Sequence, residues 1–208
     1  MIQRLIVIRH GETIDNLRGV AQGWRDSELS PRGKAQVERV AERVRDFAPD
    51  VLFCSTLPRA ITTATVIGKR IGLEPIQLDD LREMNCGDWE GVSFVEVRQK
   101  DPELFRRWST DPHEPCPGGE SYGDVRARIE RALEAIRARV NGQPSTVAIV
   151  SHGTAIRLLA THLLALPLDA ARHFAQENAA VNVFEFRGGR WVLRAWNDVT
   201  HCAGVDEE

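Results

Sequence analysis

Two short apolar runs, Leu5-Ile6-Val7-Ile8 and Val147-Ala148-Ile149-Val150, constrain this chain more than any other feature. Each reads as a core strand, and each ends in a histidine-glycine turn. The first delivers Arg9 and His10 into Gly11-Glu12-Thr13, and the second delivers Ser151 and His152 into Gly153. A strand that carries an arginine and a histidine into a glycine turn presents a nucleophilic nitrogen beside a fixed cationic fork, which suits attack on a phosphate. Taken alone, such a turn is equally an ordinary surface turn. Two of them, on strands whose ends can meet, predict a shared site.

The intervening sequence alternates strand-like and helix-like segments, with no internal repeat. After a polar loop over residues 11–29, Ser30-Pro31 reads as the N-cap and first-turn proline of a helix whose core face is Val37, Val40, Ala41, Val44 and Phe47. Val51-Leu52-Phe53-Cys54 is a second buried strand, followed by a helix with Ala60, Ala64, Ile67 and Ile71 on one face and Gly72 at its end. A strand follows near Pro75 to Leu78. Residues 81–119 have weak periodicity, several prolines and two tryptophans, so they are expected to form a cap-like insertion with a helix near Phe94 to Arg107. Ser121 and Asp124 open a long helix with Val125, Ile129, Leu133, Ile136 and Val140 inward, and a further helix covers Thr154 to Leu164. Val181 to Phe186 and Trp191 to Trp196 flank Arg187-Gly188-Gly189-Arg190 as an edge hairpin. This order predicts a single three-layer α/β/α domain with a mixed, mainly parallel sheet.

With 208 residues, the chain is long enough for one continuous core. A net charge of -3 gives no electrostatic case for nucleic acid or an anionic membrane as the main partner. Only Lys34, Lys69 and Lys100 are lysines among 27 basic residues, so arginine abundance is a compositional bias and position has to carry the argument. Cys54, Cys86, Cys116 and Cys202 form no zinc or disulfide spacing and are expected to be free thiols. No charged leader precedes an apolar stretch, and the stretch from Ala155 to Leu168 is interrupted by Arg157, His162 and Pro167. The expectation is a cytoplasmic protein.

In open α/β sheets, reactive residues gather beyond the carboxyl ends of the strands, which brings His10, Ser55 and His152 to one place. Ser55-Thr56-Leu57-Pro58-Arg59-Ala60 adds Arg59 at a helix start, either as an anion ligand or as a solvated first-turn residue. Together with Gln22-Gly23-Trp24, Leu29-Ser30-Pro31-Arg32-Gly33, Leu81-Arg82-Glu83, Gly87-Asp88-Trp89-Glu90-Gly91 and Gly118-Gly119-Glu120-Ser121, these motifs resemble the histidine phosphatase, or phosphoglycerate mutase-like, superfamily across nearly the whole chain. The resemblance implies a phosphohistidine at His10, with Arg9, Arg59 and His152 binding the phosphoryl oxygens. It also implies Glu83 as proton donor and later as base, Asn16, Gln22, Gly23 and Gly153 lining the phosphate loop, and no metal or other cofactor. His10 must be neutral at its attacking nitrogen, whereas His152 can serve as a cation. Glu12 is expected to support the loop. Thr13 either caps it or approaches phosphate, and His113, His162, His173 and His201 match no motif.

Glu83 is followed directly by Met84-Asn85-Cys86-Gly87, without the longer Arg-His-Tyr-Gly type insertion that the mutases of this superfamily carry. A phosphatase is therefore expected rather than a phosphoglycerate mutase, and a noncatalytic phospholigand-binding protein stands as a third class. Leu104-Phe105-Arg106-Arg107-Trp108 is similar to a segment in metal-independent phosphoserine phosphatases, and the paired arginines read either as a carboxylate clamp or as solvated side chains. The expected substrate is a small phosphorylated metabolite, phosphoserine or a phosphoglycerate-like acid first. Cys86 stands where that resemblance would place a histidine, and its thiol either borders the leaving group or packs. The edge hairpin offers a surface for a homodimer.

Overall fold

The computed structural model describes residues 1–141 and 145–205. Its strands are β1 (Ile2–Arg9), β2 (Val51–Ser55), β3 (Ile76–Leu78), β4 (Ser145–Ser151), β5 (Val181–Arg187) and β6 (Arg190–Asp198), in the sheet order β3-β2-β4-β1-β5-β6. The pairs among β1 to β4 are parallel, and β5 and β6 complete the sheet antiparallel. The helices are α1 (Ile14–Arg18), α2 (Pro31–Arg45), α3 (Pro58–Ile71), α4 (Phe94–Lys100), α5 (Pro102–Thr110), α6 (Tyr122–Arg139) and α7 (Gly153–Leu163).

Alternation along the strands builds the layers. Leu5 and Val7 of β1, with Val147 and Ile149 of β4, bury one face under α6 and α7. Ile6 and Ile8, with Ala148 and Val150, bury the other face under α2 and α3. Both central strands are therefore apolar without interruption, as parallel strands covered on two sides must be. This is the three-layer α/β/α architecture with a mixed, mostly parallel sheet.

Local signals place several ends. The Ser30 hydroxyl accepts from Gly33 N at 2.9 Å at the start of α2, Gly72 closes α3, and Ser121 with Asp124 forms a capping box on α6. The hairpin turns through Gly188 and Gly189, at φ +57° and +80°, a left-handed pair that glycine adopts without strain. Phe47, Ile71 and Val140 are half-buried instead of fully inside.

Two expectations need correction. The single helix near Phe94 to Arg107 is two helices, because Asp101 leaves the helical conformation, accepts from Leu104 N at 2.9 Å, and is followed by Pro102, whose ring cannot continue α4. The polar loop over residues 11–29 contains α1, capped by Thr13 and Asn16, so Thr13 is a cap. No helix among the described residues is long and apolar enough to cross a membrane.

Candidate active site

The register of the central strands makes the site. Arg9 of β1 pairs with Ser151 of β4, so His10 and His152 leave adjacent strand ends with ring centroids 5.0 Å apart. Ser55, at the end of β2, reaches His152 Nε2 with its Oγ at 2.8 Å. His10 Nδ1 donates to Gly11 O at 2.7 Å, which leaves the lone pair on Nε2, where Arg59 Nε donates at 3.3 Å. Burial first, and then the charges of Arg59 and Arg9, hold His10 well below the usual histidine range. The same causes, in the order burial, Arg59, His10 and Arg9, hold His152 down as well. The expectation that His152 serves as a cation meets full burial beside two arginines, which disfavours the charged form of both rings.

Arg59 is fixed by carbonyls. From the first turn of α3, its Nη1 donates to Arg25 O at 2.9 Å and its Nη2 to Gly23 O at 2.7 Å. Gly23 has φ +55°, and a Cβ there would stand 2.1 Å from Glu90 Oε1 and 2.8 Å from Cys86 N, so this position has no room for a side chain. Glu90 Oε1 in turn accepts from Trp24 N at 2.7 Å. Arg9 donates through Nη1 to Gln176 O, and burial lowers its guanidinium to about 10.

Glu83 lies beyond β3, on the connection to α4, and meets the first turn of α7. Its Oε1 accepts from Met84 N at 2.9 Å, Thr154 N at 3.1 Å and Ala155 N at 3.2 Å, and its Oε2 from Thr154 N at 3.2 Å. Behind it, Arg128 is 5% exposed and uses its whole fork. The fork binds Glu120 at 2.8 and 3.0 Å and donates to the carbonyls of Asp80, Arg82 and Glu83, while Glu120 Oε2 accepts from Asn85 N at 2.8 Å. One buried ion pair thus grips the chain on both sides of the carboxylate.

These groups surround a cavity of about 470 Å³, lined at its inner end by Arg9, His10, Asn16, Gln22, Gly23, Arg59, Glu83 and Gly153. His152 stands behind His10 and is fully buried. Asn16 spends Oδ1 on Thr13 N and Asn178 Nδ2, so only its own amide nitrogen remains for a ligand. Three side chains at the cavity keep buried polar atoms without partners, Arg9 Nε, Gln22 Oε1 and both ends of the Gln176 amide, and so does His152 Nδ1 behind His10. Buried polar atoms are almost always paired, so such a cluster marks a place built for a polar ligand.

The outer wall differs from expectation. Arg106 is exposed and paired with Glu103 at 2.7 Å, Arg107 is paired with Glu114 at 3.2 Å, and neither lines the cavity. The carboxylate clamp is therefore corrected. The residue of α5 that does line it is Trp108, stacked on Phe94 with centroids 5.4 Å apart. Arg157, Phe174 and Gln176 also line it, and none was singled out by sequence. The signal for Arg157 was its place one helical turn after Gly153.

Glu12 supports the loop, accepting from Ser30 Oγ at 2.7 Å and pairing with Arg32 at 2.8 Å. Cys86 both lines the cavity and packs in the core; its thiol donates to Met84 O, and a hydrogen bond with Cys116 together with burial pushes it up. His113, His162, His173 and His201 lie away from the cavity. Among the described residues, no three His, Cys, Asp or Glu side chains are grouped to hold a metal ion.

The model of the histidine phosphatase superfamily (branch 1) matches residues 5–199. This chain belongs to that superfamily. Among its relatives, phosphoserine phosphatase 1 of Hydrogenobacter thermophilus is 36% identical over 199 residues, covering 95% of this chain and 93% of the relative. A protein of Arabidopsis thaliana named metal-independent phosphoserine phosphatase is 33% identical, covering 98% and 85%. The solved structure of a mycobacterial glucosyl-3-phosphoglycerate phosphatase in complex with VO3 superposes with a TM-score of 0.86 at 31% identity, covering 94% of this chain and 99% of that one. The histidine phosphatase fold is thus shared along nearly the full length.

Proposed function

We propose that this histidine phosphatase is a metal-independent phosphomonoesterase that hydrolyses a small phosphorylated acid, phosphoserine or a phosphoglycerate-like ester, through a phosphohistidine at His10. His10 Nε2 attacks phosphorus as the ester P–O bond breaks, and Glu83 gives its proton to the departing oxygen. Water then attacks the phosphohistidine, Glu83 takes the proton of that water, and inorganic phosphate leaves with His10 restored. Oε1 of Glu83 is engaged by three N–H groups and Oε2 by one, which favours Oε2 as the oxygen that carries the exchanged proton. Ser55 donates its hydroxyl to His152 Nε2, so the neutral ring turns an Nδ1–H to a phosphoryl oxygen. Arg9 and Arg59 supply the charge that phosphoryl transfer requires.

The observation that carries this reading is the convergence of Arg9, His10, Arg59 and Glu83 on one cavity, with Arg9 Nε buried at it, and His152 Nδ1 buried behind His10, both without partners. Relatives named as phosphoserine and glucosyl-3-phosphoglycerate phosphatases support the substrate class. The test is to assay phosphate release and phosphoglycerate isomerisation side by side on the purified chain. Release is expected to dominate; isomerisation greatly outrunning it would make the protein a mutase.

A further inference from the structure

The outer half of the cavity contains a second polar subsite. Arg157 projects from α7 with Nε on Gly153 O at 3.2 Å and Nη2 on Thr154 Oγ1 at 3.1 Å, which leaves Nη1 without a hydrogen-bond partner among the described residues. No carboxylate among them lies within ion-pairing distance of it. The other cations of this region are committed: Arg106 to Glu103, Arg107 to Glu114, and Arg172 to the Trp108 carbonyl at 2.6 Å and the Tyr122 ring at 4.5 Å. On the same wall, Gln176 buries both ends of its side-chain amide without a partner while its carbonyl holds Arg9. A primary amide with neither donor nor acceptor satisfied is costly unless a ligand completes it.

We propose that Arg157 and Gln176 form the specificity subsite of this enzyme, Arg157 binding the carboxylate of the leaving group and Gln176 hydrogen-bonding a polar substituent, hydroxyl or amine, next to it. The proposal rests on the phosphatase reading above and deepens it. Trp108 and Tyr122 line the same cavity, and their apolar bodies strengthen a charge-assisted hydrogen bond by keeping water away. Glu83 accepts from Thr154 N and Arg157 donates to Thr154 Oγ1, so the proton donor borders this subsite within the cavity that His10 also lines.

The test uses matched monoesters differing in one carboxylate: 3-phosphoglycerate against glycerol 3-phosphate, and phosphoserine against phosphoethanolamine, with p-nitrophenyl phosphate as reference. The wild type is expected to prefer the acid of each pair in kcat/KM. Arg157→Met should erase roughly 10- to 100-fold of that preference, with a much smaller loss on the uncharged partners. Arg157→Lys should retain part of it, and Gln176→Leu should weaken phosphoserine and 3-phosphoglycerate more than p-nitrophenyl phosphate. If Arg157→Met does not fold, the lysine and leucine variants decide. Equal losses on acids and uncharged esters, or a wild type that turns over p-nitrophenyl phosphate without preferring either acid, overturn the subsite alone. A wild type that cleaves nothing and forms no phosphoenzyme overturns the phosphatase reading beneath it.

Discussion

The two ends of the cavity are built by different means. At the inner end, strand register places His10 and His152 side by side, and backbone carbonyls fix Arg59, so catalytic geometry is tied to the most deeply buried part of the sheet. At the outer end, side chains from α4, α5, α7 and the segment before β5 meet across helix faces, with aromatic stacking instead of a hydrogen-bonded ladder. The contrast suggests a division of labour. The inner end handles the phosphoryl group common to all substrates, while the outer end can change with the substrate without disturbing the sheet.

Substitutions at the inner end should therefore damage every substrate. Glu83→Gln should cost alkyl phosphates on the order of 10²- to 10⁴-fold in kcat/KM and p-nitrophenyl phosphate less, because that leaving group needs no proton. Equal losses on both would remove Glu83 from the proton-donor role. Arg59→Lys, which keeps the charge but loses the fork held by Gly23 and Arg25, should cost about 100-fold on all esters alike, checked by steady-state kinetics on the same panel.

A gentler perturbation is pH. Neutral His10 is the attacking form and is held well below its ordinary 6.5, so the acid limb of kcat/KM for p-nitrophenyl phosphate should lie below pH 6.5. An acid limb at or above that value would show a solvated nucleophile. The same shift affects folding. Below about pH 6.5 the unfolded chain takes up protons on His10 and His152 that the folded chain refuses, so stability should decline as pH falls through that range, measurable by urea denaturation. The smallest effect belongs to the surface of α5: Arg106→Ala and Arg107→Ala should change discrimination between carboxylated and uncharged esters by less than about twofold, since their exposed ion pairs are worth little.

The difference between the two ends also decided what could be read in advance. Uninterrupted apolar runs, each closed by a histidine-glycine turn, predict buried neighbouring strands, and the ends of such strands fix His10, Ser55 and His152 with little freedom. Arg59 followed from a helix start beside them. The outer wall has no such ruler. Arg106 and Arg107 looked like a clamp because they are adjacent in sequence, but neighbours on a helix point about 100° apart, so adjacency argues against a shared target. The residue facing inward from α5 is Trp108, and the unpaired arginine comes from α7, where Arg157 shares a face with Gly153. The burial of His152, which disfavours its charged form, was equally hidden, because only tertiary packing creates it.

The central claim is a covalent bond between His10 and phosphorus. Rapid-quench labelling with a ³²P-phosphomonoester tests it directly. The wild type should accumulate acid-labile, base-stable label on His10, and His10→Ala should carry none and lose turnover by about 10⁴-fold or more. Label on another residue, or steady hydrolysis by the folded His10→Ala protein, would contradict it.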